Sequence, residues 1–331
     1  MTKNTSKALV AIGSRSVAAS KLLMAVPAIV VRSHEKAAKR FIEFFVATIR
    51  NQNTREAYYH ACSRFLSWCE HHRIADLASI EPIHVAAYIE LLGRDFEKST
   101  VKQHLAAIRM LFDWLLTGQI VAMNPATSVR GPKYSVIRGK TPVLTPAEAR
   151  RILDCIDTST LTGLRDRALI ALMVFSFARV SAAISMRVED YYCVGERWWV
   201  RLQEKGGKRH EMPAHHELEA YMNSYIQAAR LADEKGTPLF RACARKDELQ
   251  RRPMSRIDAY RMIRRRARDI GLNSGICCHS FRATGITAYL DNGGTLENAQ
   301  IMAAHNSPRT TKLYDRTDDT ITLEEVERIA I

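Results

Sequence analysis

The stretch from residue 277 to 314, CCHSFRATGITAYLDNGGTLENAQIMAAHNSPRTTKLY, constrains this chain more than any other. Leu272, Asn273 and Gly275 break whatever helix precedes it, and Ala283, Ile286 and Leu290 then recur at helical period. His279 and Arg282 stand three residues apart, so they leave the same side of one turn. Asp291, Asn292, Gly293 and Gly294 end that helix, and Thr295 caps the next, with Glu297 early in it. His305 falls at the second helix's end, 26 residues after His279, and Tyr314 follows nine residues later. Two short helices with polar turns thus bring two histidines, an arginine and a tyrosine into one short segment.

Upstream, the chain divides by pattern. Asn53 and Thr54 begin a helix on which Tyr58, Ala61, Phe65 and Trp68 form one stripe. Pro82 opens a second helix, with Val85, Tyr88, Ile89 and Leu92 inward and Gly93 as its stop. A third starts at Ser99 or Thr100 and buries Leu105, Ile108, Phe112 and Leu115. Its Lys102 and Arg109 share another face, which suits either a DNA groove or plain solvent. Asn124, Pro125, Gly131, Pro132 and Gly139 then interrupt the periodicity, and Arg130, Lys133, Arg138 and Lys140 charge the interruption. Residues 126–143 therefore read as a linker able to follow a phosphate backbone. Thr145, Pro146 and Glu148 restart order as a capping box.

The second half mixes helix with a little strand. Ala168, Leu169, Leu172, Met173 and Phe175 mark a mostly apolar helix, and Arg179 stands just past it. A guanidinium beside a buried helix end keeps its charge and needs an anion. Asp190 or Glu189 is a structural partner to weigh against a bound phosphate. Trp198, Val200 and Leu202 alternate with polar residues, and Gly206 and Gly207 permit a tight turn carrying Lys205, flanked by Lys208 and Arg209. Residues 216–233 read as a further amphipathic helix. Residues 251–269 hold eight arginines, Arg264 and Arg265 among them, against only Asp258 and Asp269, a density that suits phosphate binding on a helix. Leu323, Val326 and Ile329 to Ile331 form an amphipathic tail.

Taken together, Arg179, Lys205, His279, Arg282, His305 and Tyr314 resemble the signature of the tyrosine recombinase (phage integrase) family. That family carries an arginine, a GKGxK hairpin lysine, His-x-x-Arg, a second His and then a nucleophilic Tyr. The resemblance implies a mainly α chain with a small β-sheet (α+β). It implies a helical core-binding domain at 35–125 and a catalytic domain at 144–331, after a flexible basic extension at 1–34. It also implies that Tyr314 attacks the scissile phosphate to leave a 3'-phosphotyrosyl link and a free 5'-hydroxyl. In that scheme Arg179 and Arg282 bind the phosphate, His305 donates to it, His279 helps remove the tyrosine proton and Lys205 protonates the departing oxygen. Family behaviour implies four protomers on two DNA sites, working through a Holliday junction, and a monomer or weak oligomer without DNA. Three places depart from the pattern: Ala182 where relatives usually have an acid, Phe177 and Ala178 for Gly-Leu, and Ala303 and Ala304 for Leu-Gly. The alternatives are a type IB topoisomerase that relaxes one duplex, and a DNA-binding protein whose catalysis is impaired.

Composition agrees with a polyanionic partner. Lysine and arginine number 49 against 35 aspartates and glutamates, a formal charge of +14, which favours double-stranded DNA bound through its phosphates. Seven cysteines, an odd number without CxxC spacing, point to a reducing compartment and away from disulfides and zinc. No cofactor or metal is expected. The longest apolar run, Leu22 to Val31, is broken by Pro27, so no membrane span is expected and the cytoplasm, with nucleoid association in a bacterium, is the expected location. Lys3, Lys7, Arg15, Lys21 and Arg32, with no acid before residue 34, make the start a basic extension rather than an organelle leader.

Overall fold

The computed structural model describes residues 25–135, 139–204, 207–244, 247–272, 275–315 and 327. They form two compact units, divided after Ser135. The first is all helix: α1 (Ala28–Ser33), α2 (Ala37–Glu43) running into a π turn at Phe44–Thr48, α3 (Gln52–His71), α4 (Pro82–Asp95) and α5 (Lys98–Thr117). Its core is the stripe expected of α3, α4 and α5, joined by an aromatic group from Phe41, Phe44 and Phe45. The α3 cap is Asn51, whose side chain accepts from the Thr54 backbone N–H at 3.1 Å, two residues before the expected start.

Two boundaries differ from the sequence expectation. Residues 25–34 were expected within a flexible extension, yet Val26, Ile29 and Val30 are buried in the bundle core. Ile29 N–H donates to Glu70 at 2.7 Å, and Tyr59 donates to the Ala25 carbonyl at 2.9 Å. Burial of three apolar side chains outweighs the local basic composition. At the other end, Ala126 and Val129 from the expected linker also pack into this core. Arg109 explains why: its guanidinium donates to the carbonyls of Ala126 and Val129, tying that segment down on α5.

The second unit comprises α6 (Pro146–Asp154), α7 (Leu161–Phe175), α8 (Val180–Ser185), β1 (Tyr191–Val194), β2 (Arg197–Gln203), β3 (Arg209–Pro213), α9 (His216–Ala228), β4 (Arg241–Cys243), β5 (Leu249–Pro253), α10 (Arg256–Asp269), α11 (Cys278–Asp291), α12 (Leu296–Met302) and α13 (Pro308–Lys312). The strands make an antiparallel sheet in the order β1-β2-β3 and a separate β4-β5 hairpin. The arginine run is divided between elements: Arg251 and Arg252 lie on β5, and Arg256 to Arg268 lie on α10. The capping box at Thr145 and Glu148 forms as expected.

α7 and α11 are the central pair. α7 buries Ala168 through Met173, and α11 is buried nearly all round. Gly285 allows their contact: a Cβ there would lie 2.0 Å from the Val174 carbonyl oxygen. That close approach sets Arg282, one turn earlier on α11, beside the end of α7. Several helices close on a left-handed residue with the paired bonds of a Schellman motif. At the end of α12, Ala304 N–H donates to Ile301 at 2.9 Å and His305 N–H to Gln300 at 3.0 Å, with Ala304 at φ 47°. His305 is therefore fixed by a helix-end motif, although alanine stands where glycine would cost less.

Candidate active site

Tyr314 sits in the second unit, 8% exposed, in a small cluster with Phe177, Ile286 and Ala303. Thr287 donates to its carbonyl at 3.0 Å, and the preceding carbonyl, Leu313, accepts from Gly139 N–H at 3.1 Å. Those bonds deliver the phenol to His279: Tyr314 Oη and His279 Nε2 are 2.8 Å apart. On its other side the phenol ring stacks on His305, with centroids 5.7 Å apart and planes within 9°. Nucleophile and base candidates are thus brought together within one chain. His279, exposed as a residue, is held below the usual histidine range by desolvation and by the charges of Arg282 and Arg179. It is neutral near pH 7, so with its proton on Nδ1 it accepts the tyrosine hydrogen on Nε2.

Arg282 is 1% exposed. Its guanidinium donates to the carbonyls of Phe177 and Ala303 and to His305 Nε2, the last at 2.8 Å. Burial first, then the charge of Arg179, pushes its pKa down to about 10, while Glu204 and Tyr314 act to raise it. It stays charged at neutral pH. Because an arginine only donates, His305 Nε2 must accept, which puts the His305 proton on Nδ1, 2.9 Å from Thr311 Oγ1. Burial, followed by Arg282, Arg179 and His279, pushes His305 down to about 3. As placed, His305 is neutral and supports Arg282 with one nitrogen and binds Thr311 with the other.

The phage integrase family matches residues 142–320, more than half of the chain, and the N-terminal SAM-like domain of phage integrases matches residues 36–121. The chain belongs to the phage integrase family. It is a tyrosine recombinase, and its reaction is site-specific recombination by cutting and rejoining DNA. Among its relatives, the tyrosine recombinase XerD of Chlorobaculum tepidum is 27% identical over 275 residues, covering 80% of this chain and 86% of that one. XerD of Corynebacterium glutamicum is 28% identical over 79% of this chain and 86% of its own. In fold it is similar to the XerH recombinase bound to its difH substrate (TM-score 0.62, 18% identity, 83% and 78% coverage). It is also similar to a lambda integrase dimer on a COC' core site (TM-score 0.64, 17% identity, 86% and 97% coverage).

In this recombinase Arg179 caps α8, and its partner is neither Asp190 nor Glu189. It donates instead to the carboxylate of Glu204, whose side chain is 3% exposed against 29% for Arg179. Sequence reasoning passed over Glu204 because nothing in its local pattern separates it from an ordinary turn residue. Thr311 was likewise invisible, and so were the carbonyls that cage Arg282. Lys205 lies outside the described residues, as do Arg138 and the tail residues Leu323, Val326 and Ile329 to Ile331. Glu204 N–H donates to the Lys208 carbonyl at 2.7 Å.

The expected DNA contacts divide. Lys102, Arg130, Lys133, Lys140 and Lys208 are exposed. Arg109 is corrected: it is half-buried and spends its donors on backbone carbonyls, so it holds the bundle together instead of facing DNA. Arg209 pairs with Glu211 at 2.8 Å, and Arg264 lies over the Tyr260 ring at 5.9 Å. Arg265 reaches the fully buried Asp166 at 3.4 Å, next to Arg266 at 2.9 Å. Part of the arginine run thus neutralises a buried carboxylate. No helix among the described residues is long and apolar enough to cross a membrane.

Proposed function

We propose that Tyr314 is the nucleophile of this recombinase and that it acts within its own chain. The carrying observation is the 2.8 Å contact between Tyr314 Oη and His279 Nε2, beside a fully buried guanidinium. The phenol proton passes to His279 as the Tyr314 oxygen bonds to phosphorus, and the bond from phosphorus to the 5'-oxygen breaks. Lys205 gives its proton to that oxygen, leaving a 3'-phosphotyrosine and a 5'-hydroxyl. Arg179 and Arg282 take up the charge on the non-bridging oxygens. Arg282 Nε is buried and has no hydrogen-bond partner among the described residues. His305 orients Arg282 and reaches the phosphate once its own bond shifts. Rejoining reverses these transfers with a 5'-hydroxyl from a second duplex.

The assembly that suits two duplexes is a homotetramer on two recombination sites. Lys102, Arg130, Lys133, Lys140 and Lys208 contribute sequence-independent phosphate contacts there. The helical unit, which ends at Ser135, serves as the core-binding domain and the second unit as the catalytic domain, acting in the cytoplasm on nucleoid DNA if the host is a bacterium.

The experiment incubates the full chain with a pool of nicked random-sequence duplexes and isolates adducts that survive detergent. Wild type should yield adducts sharing one sequence, with the DNA mapped to Tyr314, and Tyr314→Phe should yield none. If Tyr314→Phe captures as much DNA as wild type, or wild type captures none, the assignment fails.

A further inference from the structure

Ala182 and Glu204 both bear on how Arg179 is held. Ala182, three residues after Arg179 in α8, is buried and has no charge to offer. Glu204 stands at the first position of the hairpin segment EKGGK, where the family's GKGxK pattern has glycine. α8 packs against β2, and the chain leaves β2 at Glu204, so its carboxylate meets the Arg179 guanidinium from across the fold. We propose that Glu204 is the positioning residue for Arg179, supplying from the hairpin the carboxylate that α8 lacks at Ala182. The proposal rests on the recombinase reading above.

Three observations carry it. Glu204 is a charged residue only 6% exposed, and a buried carboxylate needs a fixed partner; Arg179 is its ion-pair partner among the described residues. Its backbone is fixed on both sides of the turn, with Glu204 N–H donating to Lys208 at 2.7 Å and Gly207 N–H donating to the Glu204 carbonyl at 3.2 Å. The carboxylate therefore has a rigid base, while the guanidinium end of the pair remains partly open and able to turn other donors toward phosphate. Glu204 also acts on Arg282, opposing the loss of its proton that burial and Arg179 promote. One carboxylate thus reduces repulsion between two guanidinium groups. Lys205 follows Glu204 directly in the chain.

The test measures single-turnover adduct formation on nicked duplexes recovered with wild type, using Glu204→Gln, Glu204→Asp and the pair Ala182→Glu/Glu204→Gln. DNA affinity and thermal melting are followed in parallel. Glu204→Gln should cleave about 100-fold more slowly, as a misplaced guanidinium does, with DNA affinity changed far less. The paired variant should recover at least about tenfold of that loss, because the acid returns from the α8 side. Glu204→Asp, which keeps the charge on a shorter arm, should fall between wild type and Glu204→Gln, and serves should Glu204→Gln not fold. Equal or faster cleavage by Glu204→Gln would show a carboxylate that competes with phosphate and overturns the proposal. So does a folded paired variant no faster than Glu204→Gln, or an Asp variant as fast as wild type. A wild type that cleaves no duplex sinks the recombinase reading itself, whereas a wild type matched by Glu204→Gln sinks only this assignment.

Discussion

Arg282 and Arg179, the two guanidinium groups proposed to bind the phosphate, are held by the fold in different ways. Arg282 is caged by the Phe177 and Ala303 carbonyls and by His305, with almost no exposed surface. Arg179 leaves 29% of its side chain open and rests on one carboxylate. The cage makes Arg282 part of the core: removing it strands several acceptors at once. The single ion pair makes Arg179 adjustable, and its loss strands one anion that can be repaired by neutralising it.

Stability measurements separate the two most sharply. Arg282→Ala leaves three buried acceptors unpaired and a cavity, an expected cost on the order of 4 kcal/mol in urea unfolding. Arg179→Ala leaves Glu204 buried without its cation, about 3 kcal/mol. Adding Glu204→Gln should restore most of the second loss and none of the first. Equal repair of both, or of neither, breaks the distinction.

The cage also has a pH signature. His305 is pushed down to about 3 in the folded chain, while in the unfolded chain it titrates near 6.5. The unfolded state therefore takes up the proton first as pH falls. The stability held by neutral His305 is complete above about pH 6.5 and is lost toward pH 3 at about 1.4 kcal/mol per pH unit. At pH 5 the loss from this group should be about 2 kcal/mol. His305→Gln should flatten the stability curve over that interval, measured as the difference between variant and wild type. An unchanged slope would mean that His305 takes its proton without leaving Arg282.

The difference between the two arginines also marks what a sequence discloses. His279, Arg282, His305 and Tyr314 lie within one segment whose helices and turns have local signals. Helical period and caps are enough to place them near each other. The stripes of α3, α4 and α5 were legible for the same reason, since burial follows the 3.6-residue repeat. Arg179 was legible as a residue, but its partner was not. Glu204 is 25 residues away across a hairpin, and only tertiary packing selects it over the nearer Asp190 and Glu189. Arg109 failed for the converse reason: its spacing from Lys102 suggested a shared face, while a later segment folded back and captured its donors. The basic start of the chain misled because composition says little where three apolar residues find a core.

The smallest expected effect probes the frame that holds the cage. Ala304, at φ 47°, occupies the helix-end place where relatives favour glycine, directly after the carbonyl of Ala303 that Arg282 engages. A left-handed alanine costs about 1–2 kcal/mol in backbone strain, and glycine removes that strain while adding freedom to the unfolded chain. The net expectation for Ala304→Gly is a gain of about 0.5–1 kcal/mol in urea unfolding. Adduct formation should stay within about twofold of wild type, because the two Schellman bonds that set His305 use backbone atoms alone. A loss of stability would instead mean that the buried Ala304 methyl group contributes more by packing than its backbone costs. In that case the cage around Arg282 would owe its rigidity to side-chain contact at this helix end as well as to the hydrogen bonds.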